Sequence, residues 1–462
     1  MRDLKPLFEP KSIAIIGASK ETSKIGHVIL RNFVEGDFPG KVYPVNPKEK
    51  EIMRLPAYKS VLDIPGEVES AVIAIPAKFV PSTLEECGKK GVKGVTVISG
   101  GFSEVGNDEL EKELVEVSKK YDLQVIGPNC LGIVDLRGKV DSIFLPTYKM
   151  GRPKTGGVSF ITQSGAVGSC ILDLIARQGF GMNRFVSYGN ASVIDETDLL
   201  EYLMEDERTK IIVMYLEGVK KGRKFFELTK KTSGKKPIVV LKSGTTEKGA
   251  SAAKSHTGSL AGNYEAYRAV FRQNHLIEAR TVDEVFYYSK IFDSQPLCTG
   301  DRIAIITNGG GMGVLAADAV IANGLRLAEL SDESKKKIRE VMPPIVNASN
   351  PFDLVGDADA DRFEEAFDII MNDENVDAVI AITLFQTVSL DSRVVDVVVK
   401  ASRIAPEKPM IHMALGGEYS EIQSRAIEMS GIPSYESPSS AAKSLAKLIE
   451  FSRHKQKMSK KK

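Results

Sequence analysis

The stretch Val158-Ser-Phe-Ile-Thr-Gln-Ser-Gly-Ala-Val-Gly168 decides the fold. A short β-forming run enters a turn of small residues, and a helical apolar pattern follows through Ile171–Ala176. The same order recurs in Ile303-Ala-Ile-Ile-Thr-Asn-Gly-Gly-Gly-Met-Gly313, followed by a helical pattern through Val314–Ile321. Strand, small-residue turn and helix make the opening of a βαβ unit. Farther along, Asp198-Leu-Leu-Glu-Tyr-Leu-Met-Glu-Asp206 parallels Arg362-Phe-Glu-Glu-Ala-Phe-Asp-Ile-Ile370. Each precedes a strand, at Ile211–Tyr215 and Ala378–Ile382.

An internal duplication of this kind implies two flavodoxin-like, doubly wound domains of similar build. Upstream, short Val- and Ile-rich runs alternate with amphipathic patterns at Pro81–Lys90 and Asp108–Tyr121. They predict strands at Ser12–Ile16, Val42–Val45, Ser70–Ile75, Gly94–Ile98 and Gln124–Ile126, which together make a Rossmann-like domain. The expected class is α/β: a Rossmann-like domain over residues 1–150, a flavodoxin-like domain over 151–295 and a second over 296–455. The polar break Asp293–Gly300, with Pro296, is the expected linker, and 456–462 is a basic tail.

Length agrees, because 462 residues exceed one core. With 42% hydrophobic and 27% charged residues and a net charge of +1, nothing global favours nucleic acid or an acidic membrane as a partner. The basic run Arg453–Lys462 reads as a solvated, frayed terminus. No apolar run approaches the roughly 18 residues of a membrane helix. The start, Met1-Arg2-Asp3-Leu4-Lys5-Pro6, lacks a signal-peptide core. Cys87, Cys130, Cys170 and Cys298 show neither CxxC nor zinc spacing, so the expectation is a cytoplasmic protein without a metal site.

Each domain opens with a turn at a helix N-terminus, where free amides and the positive dipole end attract anions. The first turn, Gly17-Ala18-Ser19, lacks the second glycine of a GxGxxG fingerprint. The second strand runs into Asn46-Pro47-Lys48, where a NAD enzyme would carry an acid for the ribose. A cation there points away from NAD and towards another phosphorylated adenine nucleotide, such as coenzyme A. The Ile75-Pro76 and Ser99-Gly100 loops end the next strands of the same sheet and complete this candidate site. The turns at Ser164-Gly165 and Asn308-Gly309-Gly310-Gly311 would hold phosphate if their helix ends converged, although glycine there also serves tight geometry. Asn129 and Cys130 follow another strand end, where ligands collect; the thiol reads first as structural.

One histidine stands apart. Lys254-Ser-His256-Thr-Gly258 lies in a run, Gly244–Gly262, made almost wholly of Gly, Ala, Ser, Thr and Lys. Such a segment buries little apolar area, and neutral imidazole is a competent nucleophile near pH 7. Glu217 ends the strand Ile211–Tyr215 on the ligand-binding edge, where a carboxylate could fix an imidazole tautomer. His412, in the apolar run Pro409–Leu415, reads as a hydrogen-bonded core residue.

Taken in order, these motifs resemble the α subunits of the ADP-forming acetyl-CoA (acyl-CoA) synthetases, in the succinyl-CoA synthetase superfamily. The resemblance covers almost the whole chain. It includes Lys11–Ser19, Val42–Lys48, Ser99–Glu104, Gly127–Asn129, Thr162–Gly165, Ser255–Gly258 and Asn308–Gly311. It implies three reversible steps. Phosphate attacks acyl-CoA and releases CoA; the phosphoryl group of the acyl phosphate passes to the histidine matching His256, freeing the acid; and the phosphohistidine makes ATP from ADP at an ATP-grasp domain. Glu217 matches the acid that orients the histidine. Ser164, Gly165 and Gly309–Gly311 match the paired phosphate-binding helix ends. Nothing in the sequence resembles an ATP-grasp module, so the resemblance implies a separate β subunit in an α2β2 assembly, with Mg2+ accompanying the nucleotide there. The acyl group stays open. A CoA-binding regulatory protein of the same fold that has lost catalysis is the alternative, and the presence of both His256 and Glu217 weighs against it.

Overall fold

The computed structural model describes residues 2–251 and 263–460, so His256 lies outside the described residues. Five strands form the first sheet: β1 (Ser12–Ile16), β2 (Lys41–Val45), β3 (Ser70–Ile73), β4 (Gly94–Val97) and β5 (Gln124–Ile126). All neighbours are parallel in the order β2-β1-β3-β4-β5. The run Ser-Ile-Ala-Ile-Ile of β1 is buried throughout, as a parallel strand covered on both sides must be. The order reverses beside β1, which opens a crevice at the carboxyl ends of β1 and β3.

The chain leaves this sheet after Ile126. The hairpin β6 (Gly132–Asp135) and β7 (Val140–Asp141) pairs antiparallel with the next sheet instead, although the sequence assigns residues up to 150 to the first domain. That next sheet adds β8 (Lys154–Thr162), β9 (Gly181–Ser187), β10 (Ile211–Leu216), β11 (Ile238–Lys242) and β12 (Ile277–Ala279). Its order is β12-β11-β10-β8-β9-β6-β7. The loan of the hairpin ties the first two sheets into one compact unit, residues 2–177 and 181–280.

The second unit, residues 178–180 with 281–460, carries a six-stranded sheet. Its strands are β13 (Arg302–Thr307), β14 (Arg326–Leu327), β15 (Phe352–Asp353), β16 (Ala378–Ile382), β17 (Met410–Met413) and β18 (Ser434–Tyr435). The order is β14-β13-β16-β17-β18, and β15 pairs with β13. The unit begins ahead of the polar stretch around Pro296, because the helix Val282–Ser294 packs on the last helix, Pro438–Ser459. Phe292 meets Phe451 edge to face at 5.6 Å, and Lys290 reaches Glu428 at 2.9 Å.

The expected frayed terminus is corrected here: the helix runs on to Ser459. Ala441, Leu445, Leu448, Ile449 and Phe451 bury one face of it, and Arg453 pairs with Asp301 at 2.9 Å, so the basic turns are carried by an anchored helix. No helix among the described residues is long and apolar enough to cross a membrane. His412 is fully buried and bonded on both ring nitrogens, to Thr383 and Ser434 at 2.7 Å each.

The sheets of the first unit meet at a buried arginine. Arg184 of β9 is fully buried and donates to Asp135 of β6 at 2.6 Å, to Asp206 at 2.6 Å and to Glu9 at 3.0 Å. Its guanidinium lies 4.7 Å from the Phe8 ring centre and 5.2 Å from that of Tyr202. Burial raises the Asp135 carboxyl against the pull of Arg184. Breaking such a pair by removing one partner strands a buried charge. Arg184→Met is expected to destabilise the chain by about 3–5 kcal/mol, and Arg184→Met with Asp135→Asn should recover part of that loss. Denaturant unfolding checks this; a single variant as stable as the parent would refute it.

Candidate functional site

Both duplicated domains build their opening turn with the same bonds. In the first, Thr162 Oγ1 accepts the Ser164 N–H at 3.1 Å and donates to the Ser164 carbonyl at 2.9 Å. In the second, Thr307 Oγ1 accepts the Gly309 N–H at 3.0 Å and donates to the Gly309 carbonyl at 3.3 Å. The residue between then reaches sideways to the loop after the neighbouring strand. Gln163 Oε1 accepts the N–H groups of Glu217 and Gly218, the latter at 3.0 Å. Asn308 Oδ1 accepts the Leu384 N–H at 2.8 Å. Both turns sit at the switch point of their sheet, β8 beside β10 and β13 beside β16.

The first turn opens on a cleft of about 1000 Å³. Ser164 caps its helix by accepting the Val167 N–H at 3.2 Å, and Ser164, Gly165 and Ala166 line the cleft. Glu217, at the carboxyl end of β10, lines it too and is 8% exposed. From the Rossmann-like sheet come Ile98, Ser103, Glu104, Asn129 and Cys130. The structure thus brings Ser164, Gly165, Glu217, Asn129 and Cys130 to one place. Cys130 is a packed thiol: its Sγ donates to the Val97 carbonyl, and burial pushes it up to about 12. Asn129 donates to the Asn190 side chain at 3.2 Å.

The sequence did not single out Gln163, Asn190, Lys220 or Lys242. Asn190 bonds Glu104 at 2.7 Å and Glu111 at 3.0 Å. Burial pushes the Glu104 carboxyl up, but the hydrogen bonds from Asn190 and the Gly101 and Phe102 amides outweigh it and hold it below the usual range. Lys242 donates to the Glu217 carbonyl at 2.8 Å, and burial lowers the ammonium against the attraction of Glu217. A polar side chain directly after an apolar strand is the available signal for Gln163, and one closing the apolar strand Ile238–Lys242 is the signal for Lys242, but which loop each reaches is a tertiary fact.

The Gly17 turn and its companions line the carboxyl edge of the first sheet. Gly17 has φ +94°, and a β-carbon there would stand 2.3 Å from the Ala74 carbonyl oxygen, so the close turn demands glycine. Asn46 donates to the Ala18 carbonyl at 2.7 Å, which joins the Asn46-Pro47-Lys48 strand end to the Ala18-Ser19 turn; Lys48 is exposed. Ser99 bridges the Ile75 backbone, accepting its N–H at 3.2 Å and donating to its carbonyl at 2.5 Å. Pro76 and Gly100 complete that rim. In the other unit the Asn308 side chain is spent on the Leu384 turn and the Gly309 N–H on Thr307, so the turn offers an anion only the backbone of Gly310 and Gly311. A β-carbon at Gly310 would meet Asp353 Oδ2 at 2.4 Å. Among the described residues no group of three or more His, Cys, Asp or Glu could hold a metal ion.

Three family models match in chain order: a CoA binding domain over residues 11–135, a succinyl-CoA ligase like flavodoxin domain over 155–292 and a Ligase-CoA domain over 303–447. The alpha subunit of acetate–CoA ligase [ADP-forming] II from Pyrococcus furiosus is 40% identical over 96% of each chain. Acetate–CoA ligase [ADP-forming] I from Archaeoglobus fulgidus is 42% identical over 97% of this chain, which spans 64% of that longer protein. Among solved structures, the dinucleotide forming acetyl-coenzyme A synthetase 1 of Ca. Korarchaeum cryptofilum, in complex with phosphate and ADP, superposes with a TM-score of 0.94. It is 36% identical and covers 100% of this chain and 99% of its own. With full-length identity at this level and the same three domains in the same order, the chain belongs to the family of the ADP-forming acetate–CoA ligases.

Proposed function

We propose that the chain is the α subunit of an ADP-forming acyl-CoA synthetase, an acid–thiol ligase converting acyl-CoA, phosphate and ADP to acid, CoA and ATP. The observation that carries this reading is the cleft in which Glu217 and the Ser164-Gly165 helix end share walls with loops of the Rossmann-like domain. CoA binds along Gly17, Ala18, Ser19, Asn46, Pro47, Lys48, Ile75, Pro76, Ser99 and Gly100. Its thioester reaches the cleft beside Asn129, while Cys130 keeps to packing.

Phosphate held at the helix end that Ser164 and Gly165 open attacks the thioester carbonyl; the C–S bond breaks and CoA leaves as the thiolate. First-turn amides are preorganised dipoles for the charge that develops on the transferring phosphoryl group. His256 then attacks phosphorus, the P–O bond to the acyl group breaks, and the carboxylate departs. Glu217 accepts a hydrogen bond from the opposite imidazole nitrogen, which leaves one nitrogen free to attack and stabilises the imidazolium-like product. Gly309, Gly310 and Gly311, with Asn308 fixing their turn, form the second phosphate-binding helix end. The phosphohistidine finally gives its phosphoryl group to ADP, with Mg2+, on an ATP-grasp β subunit in a cytoplasmic α2β2 assembly. The near-complete match to a protein named as an alpha subunit supports a partner.

His256→Ala is expected to abolish phosphoryl labelling from acetyl-CoA and phosphate while leaving CoA binding intact. Glu217→Gln should lower turnover by about 10- to 100-fold, since a neutral amide stabilises imidazolium charge less well. Peptide mapping under alkaline conditions is the measurement; phosphate on Ser164, or full turnover in His256→Ala, would sink the mechanism. For the nucleotide site, Ser19→Leu should remove CoA binding in a titration without unfolding the chain, whereas tighter binding of NADH than of CoA to the parent would overturn the assignment.

A further inference from the structure

The segment from Glu217 to Lys221 is held by side chains. Gln163 takes the amides of Glu217 and Gly218; the Tyr267 hydroxyl accepts the Val219 N–H at 3.1 Å; Glu196 Oε1 accepts the Lys220 N–H at 3.0 Å. Lys220 Nζ donates to the carbonyls of Asn190 and Ala191 at 2.6 and 3.1 Å, and Lys221 pairs with Asp195 at 2.7 Å. Four consecutive amides therefore rest on three acceptors. Gln163 cannot ionise, and burial raises Tyr267 above its usual value. Glu196 is the remaining acceptor.

Glu196 opens the helix Glu196–Glu205 and is fully buried. Its Oε2 accepts no hydrogen bond among the described residues, and the buried Tyr188 hydroxyl is likewise unpartnered among them. A carboxylate with one oxygen shut off from water and from donors costs more than the protonated acid in the same place, because burying an unpaired charge is worse than burying an unpaired hydroxyl. The charged and titratable groups around it are Asp195 and Asp198 at its own helix end, Lys220 and Lys221 on the held segment, Tyr188 after β9 and Tyr267 on the helix Tyr264–Gln273. Glu217, beside Tyr188, adds a further acid to this cluster. Burial pushes Glu196 up to about 7; Asp195 adds to that, and the Lys220 amide and ammonium oppose it.

We propose that Glu196 is a positioning residue for the reaction: as a neutral acid it anchors the Lys220 amide and so fixes the segment that carries Glu217 into the cleft. This rests on the role given to Glu217 above. Loss of the Glu196 proton keeps the bond to the Lys220 amide but places a new negative charge near Asp195 and Glu217, and that repulsion displaces the Glu217 carboxylate.

The test uses the complete enzyme with its ATP-grasp partner, following ATP formation from acetyl-CoA, phosphate and ADP between pH 5.5 and 9. Glu196→Gln keeps the acceptor and the shape and cannot ionise. Its kcat is expected within about 2-fold of the parent at pH 6, without the parent's fall through pH 7. Glu196→Ala should lose about 10-fold in kcat with KM for acetyl-CoA unchanged.

A second readout does not involve activity. Between its usual 4.5 and about 7 the native chain holds a proton that the unfolded chain has released, so the parent loses stability as pH rises through that window. The thermal midpoint of Glu196→Gln relative to the parent should therefore rise from pH 5 to pH 8. A midpoint difference that is flat with pH overturns the neutral acid. Parent-like kcat in Glu196→Ala overturns the positioning role. Absence of any acetyl-CoA-dependent phosphoryl transfer in the parent overturns the underlying reading of Glu217, and the midpoint series still reports the Glu196 proton separately.

Discussion

Arg184 is the point on which the first unit depends. It stands on β9, in the sheet of the flavodoxin-like domain, and its three acids come from different parts of the chain. Glu9 follows the N-terminal turn, Asp135 ends the strand donated from the Rossmann-like side, and Asp206 follows the helix Glu196–Glu205. Guanidinium suits this place because its planar fork reaches several carboxylates at once while its faces lie against the rings of Phe8 and Tyr202. A charge this deep is tolerated only when each hydrogen-bonding group finds a partner. The position of every partner is therefore coupled to the others.

The duplicated turns show how one local device serves two ends. A threonine hydroxyl closes the strand end, and the next side chain uses an amide oxygen to capture backbone N–H groups of the loop after the adjacent strand. In the first domain the captured loop begins with Glu217, so the capture orients a carboxylate. In the second it begins with Leu384, and the capture only fixes a turn. The two repeats share architecture and differ in the residue that the held loop carries.

Much of this could be read from residues alone. Strands such as Ser12–Ile16, Gln124–Ile126 and Ala378–Ile382 stand where the Val- and Ile-rich runs put them, because burial on both sides of a parallel sheet admits little else. The Gly17 turn was equally legible, since only glycine tolerates φ +94° against the Ala74 carbonyl. The hairpin at Gly132–Asp135 and Val140–Asp141 was not, because Gly-Ile-Val-Asp is too short to show a period and no local pattern says which sheet accepts it. The basic C-terminal turns do face solvent, but they are not frayed, because the helix Pro438–Ser459 that carries them is anchored upstream by its buried face, with Phe451 against Phe292.

The sequence by itself determined the class of fold, the duplication and the residues that could bear the chemistry, because periodicity, turn residues and motif order are written locally. It identified Glu217, Ser164 and Gly165 as candidates at strand ends. Only the tertiary structure decided that these meet across a cleft with Asn129, that the Cys130 thiol is spent on Val97, and that Glu196 and Gln163 hold the Glu217 segment. Gln163 and Glu217 lie far apart along the chain, and Glu196 belongs to a helix whose pattern announces only a capped start. The contacts that give these residues their roles form when the sheets close, since burial alone removes the water that would otherwise satisfy each polar group.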